Sequence, residues 1–443
     1  MTDEPYQRAG LATGEGEHAY ARFALRWIPA VIVGYALLVS PVMLKWRSAG
    51  MVTDINIAAA QSNPLNQLFW ILTLAVAVVA AWRNFRNIGR FLSDPVFVLV
   101  LCYLAFAALS VFWSPVPGIA FRRLALQVIV VLALGISIGL ADDRDAMLDR
   151  VLAVFAVTVI INAVAVVLMP PGPIGHEGIY EHKNSLGAAM AFAVLFCMYG
   201  AAVKRGWLRA FFVVLVVAAY FALVLSKSKT SLGLAVLLPL GVWLTVAITR
   251  PLRMNAALFV LFALALGLAA WFYFSVLMDF GFDDLSMLLF DDTTFTGRTV
   301  IWQFVLDVIG RSPLIGQGYA SFWGIGAGSI VEREAPGFVA ALLQAHNGYL
   351  DVLLETGVVG LTFLLATIIA ALFSAARSAD SHPALCWLSM TLVLTGVSHN
   401  MLESSWFRGY SLIWMLFLFA ALLPRIADLS APARAGAPPL AKS

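Results

Sequence analysis

The chain has 443 residues, of which 61% are hydrophobic and only 12% charged, and its mean hydropathy is +0.89. A soluble surface of that size needs more charge, so a water-soluble globular protein is excluded and a polytopic membrane protein is indicated. The formal net charge of +3 decides little by itself, because cations in such a chain matter by the side of the membrane they occupy.

Residues 1–27 are polar and of mixed charge, Asp3, Glu4, Glu15 and Glu17 against Arg8, Arg22 and Arg26. They read as a cytoplasmic tail and not as a cleavable signal, so the first apolar run is expected to stay as an anchor. From 28 to 423 the sequence reads as one integral membrane domain. Apolar runs long enough to span a bilayer as helices lie at 28–44, 65–81, 95–113, 124–140, 147–169, 185–203, 207–225, 231–249, 255–277, 349–374, 384–398 and 406–423. The expected fold is therefore all-α, with about twelve transmembrane helices. The fourth and fifth are separated only by ADDRD and form a hairpin. Between the ninth and tenth, residues 278–345 form one long non-membrane loop. The stretch 424–443 is rich in Ala, Pro and Arg, the composition of a disordered tail. Cys102, Cys197 and Cys386 all fall inside apolar runs, which argues against a disulfide framework.

Lysines and arginines set the orientation. With the N-terminus inside, 17 of the 28 fall on the inner side, which supports cytoplasmic termini and a periplasmic long loop. The outer exceptions cluster in short polar stretches: Arg122 and Arg123 after FWSPVPGIAF, Lys183 in EHKNS, Lys227 and Lys229 in SKSKTS, Arg298 in GRT and Arg408 in SSWFRGY. Cations placed against the topological bias need a reason, and an anionic ligand at the outer face supplies one. The helix interiors, by contrast, hold almost nothing ionisable, Gln127 and Asn162 being the main polar intruders. A coupled transporter ordinarily carries intramembrane acids or bases, so a non-catalytic flippase or exporter is the weaker class.

Within the long loop, Arg298 opens a short amphipathic helix. Val300, Ile301, Phe304, Val305, Val308 and Ile309 share its apolar side, and Thr296 is a candidate N-cap. An arginine there can clamp a pyrophosphate bidentately; the plainer reading is an interfacial helix meeting lipid headgroups. His346 and Asn347 precede a helix on which Asn347, Asp351 and Glu355 recur every four residues and share one face. A neutral histidine oriented by Asp351 or Glu355 can serve as a general base; the plainer reading is a polar helix start. Glu181, His182, Lys183 and Asn184, together with Lys227 and Lys229, sit at helix ends, where lysines also snorkel for no functional reason. His399, Asn400, Glu403 and Arg408 form a further polar outer loop. Asp283, Asp284, Asp291 and Asp292 lack histidine or spaced-carboxylate support, so they read as solvated acids and no metal site is assigned. No phosphate loop, dinucleotide fingerprint or nucleophile elbow occurs, so any transfer draws on an already activated substrate, and neither a cofactor nor a nucleic-acid partner is expected.

Taken together, HKNSLG, SKSKTS, GRTVIWQF, SPLIGQGYASF and AHNGYLDVLLETGVVG, with FWSPVPGIAFRR before them, resemble the O-antigen ligase/polymerase superfamily, most of all its exopolysaccharide-polymerase branch. The likeness runs from about Cys102 to Gly409. It implies a metal-independent glycosyltransferase of the bacterial inner membrane, acting at the periplasmic face on a glycan carried by undecaprenyl pyrophosphate. The acceptor is the next lipid-linked repeat unit in a polymerase, or lipid A-core in a ligase. Membrane lipids, chain-length regulators and export proteins are the partners this leaves room for. The resemblance maps the loop arginine onto Arg298 and the histidine onto His346, as catalytic residues. Arg122, Arg123, His182, Lys183, Asn184, Lys227, Lys229, Asn347, Glu355, His399 and Arg408 are the candidate pyrophosphate- and glycan-binding set. Ligases of this group usually carry arginine where this chain has Lys227 or Lys229, which weakens bidentate phosphate binding there.

Overall fold

A computed structural model describes residues 20–42, 63–82, 89, 92–281, 284, 287–288, 297–409 and 411–426. Among these residues the chain is helical throughout and forms no β-strand. Ten helices are long and apolar enough to cross a membrane: α1 (Tyr20–Val42), α2 (Pro64–Trp82), α3 (Pro95–Trp113), α4 (Pro117–Gly139), α5 (Arg144–Leu168), α6 (Lys183–Val203), α7 (Gly206–Leu225), α8 (Lys229–Thr249), α9 (Ala256–Leu277) and α12 (Gly348–Ala376). Before α12 come α10 (Arg298–Ile309) and the single turn α11 (Ile330–Glu334), and after it α13 (Pro383–His399) and α14 (Leu412–Leu422), both apolar but shorter. This is an all-α polytopic membrane protein.

Local chemistry sets the boundaries. Pro95 and Pro117 start α3 and α4 at positions where a missing N–H costs nothing. Asp94 accepts from Val96 N and Phe97 N and caps α3, and Asn255 does the same for α9. Three boundaries differ from the sequence expectation. Helix α1 already includes Tyr20, inside the expected tail, and there Arg22 and Arg26 are held by Asp142, and Arg26 by Asp143, in the α4–α5 turn. Helix α4 begins at Pro117, so Arg122 and Arg123 belong to its first two turns and not to a loop. Residues 406–409, read as the start of the last span, are instead non-helical, with Trp406 and Phe407 buried. Residues 1–19 and 427–443, Arg83, Arg86, Arg90, Asp283, Asp291, Asp292 and Thr296 lie outside the described residues.

Helix α6 is the centre of the bundle: 72% of its apolar window is buried, against 11% for α9. The outward side chains of α9, among them Phe262, Leu266 and Phe272, are exposed, a surface suited to lipid and not to water. Arg425 pairs with Asp94 at 2.7 Å, tying the end of the last helix to the start of α3 on the face that also carries the Arg26–Asp142 pair. Polar backbone within the bundle finds partners. Pro239 in α8 cannot donate to Ala235, and the Tyr220 hydroxyl donates to that carbonyl instead, at 2.8 Å.

Helix α12 is broken at Gly357, which has φ 63° and ψ −164°. The turn 313–318 plugs the break. Gln317 N and Gly318 N donate to Leu354 O and Glu355 O, and Val358 N and Val359 N donate to Pro313 O and Leu314 O. A Cβ on Gly357 would sit 2.3 Å from the Leu314 carbonyl, and one on Gly316 would sit 2.4 Å from that of Glu355. Gly357 therefore serves loop-on-helix contact.

Replacing Gly357 by Ala combines that collision with a left-handed backbone, and is expected to destabilise the protein by about 1–3 kcal/mol or more. Gly267→Ala, where a Cβ meets nothing within 4 Å, is the control and should stay within about 0.5 kcal/mol of wild type. Thermal unfolding in detergent measures both.

Candidate functional site

The outer segment between α9 and α12 builds its own small core. Ile301, Phe304, Val305, Val308 and Ile309 of α10 pack with Phe322, Trp323 and Leu354. Val300, expected on that side, is 41% exposed. So α10 lies on protein and offers its N-terminal residue, Arg298, at one edge. Its N-cap position is Gly297, with φ 80°.

Residues 344–348 hang from this core by the backbone. The Trp302 indole donates to Ala345 O at 3.1 Å, and Ala345 N donates to the Asp351 carboxylate at 3.2 Å. The next residue, His346, sits at φ 51°, a conformation non-glycine residues adopt only when their surroundings enforce it. Asn347 is the N-cap of α12, its Oδ1 accepting from Tyr349 N and Leu350 N. Gly348 N donates to both Asn400 O and Glu403 O, and a Cβ there would lie 2.2 Å from Asn400 Oδ1. Only glycine lets the two segments approach so closely.

That approach delivers Glu403. Its carboxylate accepts from His346 Nδ1 at 3.0 Å, from Gln344 Nε2 at 3.0 Å and from Arg298 Nη2 at 3.4 Å. The acid partner expected for His346, Asp351 or Glu355, is thus corrected to Glu403. Asp351 is spent on Trp323 Nε1, Ala345 N and Arg408. Burial opposes ionisation of Glu403, but the His346 hydrogen bond and the charges of His346, His399 and Arg298 outweigh it and hold the carboxyl below its ordinary range. Burial pulls the Arg298 pKa down, partly offset by Glu403. An ionised carboxylate only accepts, so the contact with Glu403 is a hydrogen bond when His346 Nδ1 carries a proton. His399, at the end of α13, is buried with Nδ1 unpartnered, and burial lowers its pKa.

The other candidates divide into two groups. Arg123, Glu355 and Arg408 line a separate cavity. Arg123 donates to the carbonyls of Ala320, Trp323 and Gly324, and Arg408 donates to Asp351 Oδ2 at 2.7 Å and to Leu343 O. Burial works against the Arg408 charge, yet Asp351, Glu355 and Tyr319 outweigh it and raise its pKa. Arg122, beside Arg123, is half-buried. The second group lies where α6 and α8 start. His182 caps α6 through Nδ1, accepting from Asn184 N at 3.1 Å. The turn 172–178 rests on Ser226 and Lys227, with His176 N donating to Leu225 O. Lys227 and Lys229 are exposed and Lys183 half-exposed; none of the three bonds to Arg298, His346 or Glu403. Among the described residues no group of three or more His, Cys, Asp or Glu is arranged to hold a metal ion.

Comparison with known proteins bears on the family. A family described as O-Antigen ligase matches residues 214–365, which include Arg298, His346 and the broken helix. The chain is also 27% identical over 292 residues to "Exopolysaccharide production protein ExoQ" of Rhizobium meliloti (strain 1021), an alignment covering 62% of this chain and 65% of that protein. Both findings support the O-antigen ligase/polymerase superfamily. The alignment spans just under two thirds of that relative's length, and the family match stops short of Glu403 and Arg408. Glu403 is the residue the sequence left out of the site. Its only signal was its place beside His399 in an outer polar loop.

Loss of the Glu403 charge should cost stability in a pH-dependent way. Its folded pKa is depressed, so its contribution is present above the unfolded value of about 4.3 and is lost as pH falls through the folded value. Glu403→Gln should therefore unfold more easily than wild type by about 2 kcal/mol near neutrality. The gap should close below roughly pH 4, as read from melting temperatures across a pH series.

Proposed function

We propose that this protein polymerises undecaprenyl-pyrophosphate-linked oligosaccharide repeat units into exopolysaccharide at the periplasmic face of the bacterial inner membrane. The observation that carries the reading is one carboxylate, Glu403, shared by a histidine and an arginine at the outer ends of the helices. Glycosyl transfer from a pyrophosphate needs those two roles. An acceptor hydroxyl attacks the anomeric carbon, and its proton passes to Nε2 of His346. The bond from that carbon to the pyrophosphate oxygen breaks, and the leaving lipid pyrophosphate takes the electron pair. Arg298 stabilises the charge that develops on it. Glu403 keeps the imidazole in the tautomer a base requires. Lys183, Lys227 and Lys229 bring positive charge to the same end of the bundle, where a long anionic donor lies along the surface. The driving force resides in the pyrophosphate linkage, so neither nucleotide nor metal is part of the proposal.

The resemblance to an exopolysaccharide production protein favours polymerase. The O-Antigen ligase family match keeps transfer to lipid A-core as the second reading. Supplying purified protein with lipid-linked repeat units alone, or with lipid A-core, separates them by product.

In that assay His346→Ala should slow transfer by about 10²–10⁴-fold while lipid-linked donor still binds. Arg298→Ala should lose about 10²–10³-fold, and Arg298→Lys should recover little, because a lysine lacks the planar fork. Activity should survive a chelator. Near-normal turnover of His346→Ala would place the base elsewhere, His399 and His182 being the next candidates.

The orientation is tested separately. A reporter inserted near Gly326 should read periplasm and one fused to the C-terminus cytoplasm. A cytoplasmic reading at Gly326 would sink the periplasmic site.

A further inference from the structure

A cavity of about 350 Å³ lies between α4, the 319–323 turn, the first turns of α12 and residues 407–409 and 411. Its wall combines the Arg123 and Arg408 guanidinium groups, the Glu355 carboxylate and the rings of Trp323 and Phe407. Aromatic faces beside carboxylate and guanidinium groups suit a hydroxyl-rich ring, which offers both donors and acceptors and an apolar face.

Prior hydrogen bonding decides which substrate fits. The Arg408 guanidinium donates to Asp351 at 2.7 Å and to Leu343 O, and Arg123 donates to the carbonyls of Ala320, Trp323 and Gly324. A pyrophosphate needs a fork free to bond it bidentately, and both forks here are already committed to the protein, whereas Arg298 meets Glu403 at 3.4 Å. The cavity therefore suits a polyhydroxylated ligand. Its wall is fixed before any ligand arrives. Trp323 Nε1 donates to Asp351 at 2.8 Å, and Glu355 Oε2 accepts from Ala320 N at 3.0 Å.

The same wall holds the catalytic segment. Arg408 donates to Leu343 O, and Asp351 accepts from Ala345 N, the residue before His346. Leu343 itself lines the cavity. Two residues of chain, Gln344 and Ala345, thus separate the cavity wall from the proposed base. We propose that this cavity is the acceptor subsite and holds the terminal sugar whose hydroxyl is activated by His346, while the donor pyrophosphate lies at Arg298. This inference rests on the glycosyl-transfer reading. It removes Arg123 and Arg408 from the pyrophosphate-binding set and gives them to the acceptor.

The test uses the purified full chain and two probes: the repeat-unit oligosaccharide prepared from the producing bacterium's exopolysaccharide, free of lipid and phosphate, and the lipid-linked repeat unit. Ser411→Phe and Leu126→Phe narrow the cavity from two sides without touching a charge, and Glu355→Gln removes its acid. All three should weaken binding of the free oligosaccharide at least about tenfold while the lipid-linked donor binds as in wild type. The KM for acceptor should rise with little change in kcat. Ser411→Phe and Leu126→Phe reproduce the effect should Glu355→Gln fold poorly. If wild type transfers sugar and both narrowing variants bind and react as wild type, the acceptor assignment is overturned and the transfer reading stands. If wild type binds the oligosaccharide in this cavity but never transfers, the transfer reading fails and a saccharide site remains. If wild type binds no free oligosaccharide at all, the subsite is overturned whatever the activity.

Discussion

A broken helix in an apolar bundle must find partners for the backbone groups it frees, because no water is at hand to take them. That constraint organises the part of this molecule that carries the candidate site. The break at Gly357 exposes carbonyls at Leu354 and Glu355 and amides at Val358 and Val359, and the 313–318 turn satisfies all four. The pairing works only because Gly316 and Gly357 carry no side chain where the two backbones meet. Once the turn is seated, the residues after it have little freedom. Tyr319 donates to Phe407 O at 2.6 Å, and Trp323 reaches Asp351. The outer core then closes over α10. A loop without repetitive structure becomes a fixed platform, and the catalytic candidates ride on it.

The electrostatics follow from the same platform. The two acids nearest the candidate residues are each shared among several donors. Glu403 serves Arg298, His346 and Gln344; Asp351 serves Arg408, Trp323 and Ala345. A buried charge left alone costs several kcal/mol, whereas one ringed by donors is tolerated. Sharing therefore lets two separate groups of cations sit close to the membrane with two compensating acids. It also gives them different characters. Around Glu403, Arg298 meets the carboxylate at 3.4 Å and keeps donors for an anionic ligand. Around Asp351 the Arg408 and Arg123 guanidinium groups are bonded to protein acceptors.

How much of this was legible in the sequence depends on the range of the interaction. Hydropathy marked every helix in the bundle, because a span is a property of some twenty consecutive residues. The Arg298 helix and the His346 helix start were also visible, since their punctuation by Gly297 and Gly348 is local. The partner of His346 was not. Asp351 and Glu355 follow it at helical spacing, so periodicity favoured them, but spacing says only that the two share a face with each other. His346 itself lies outside the helix at a left-handed backbone angle and turns toward a different segment. Glu403 is 57 residues away, and its approach depends on a main-chain contact at Gly348. Arg122 and Arg123 looked like loop cations because FWSPVPG reads as a turn; Pro117 then starts a helix that carries both.

The two polar groups and the segment 343–346 between them suggest why a histidine is placed at a strained position. Ala345 is fixed through both its N–H and its carbonyl, by Asp351 on one side and Trp302 on the other. Gly348 is fixed to the 400–403 loop. The intervening residues must turn sharply, and the left-handed angle at His346 is the cost of that turn, about 1–3 kcal/mol. The surrounding hydrogen bonds outweigh it. What results is an imidazole held between the Arg298–Glu403 pair and the wall in which Arg408 is bonded to Asp351. In the proposed reading that is the place between donor and acceptor. A flexible histidine would lose most of the advantage of orientation, since misplacement of about 1 Å can cost about 10²-fold in rate. The strain at His346 is therefore coherent with positioning, and it is maintained by contacts that reach from the base of the broken helix to the last outer turn.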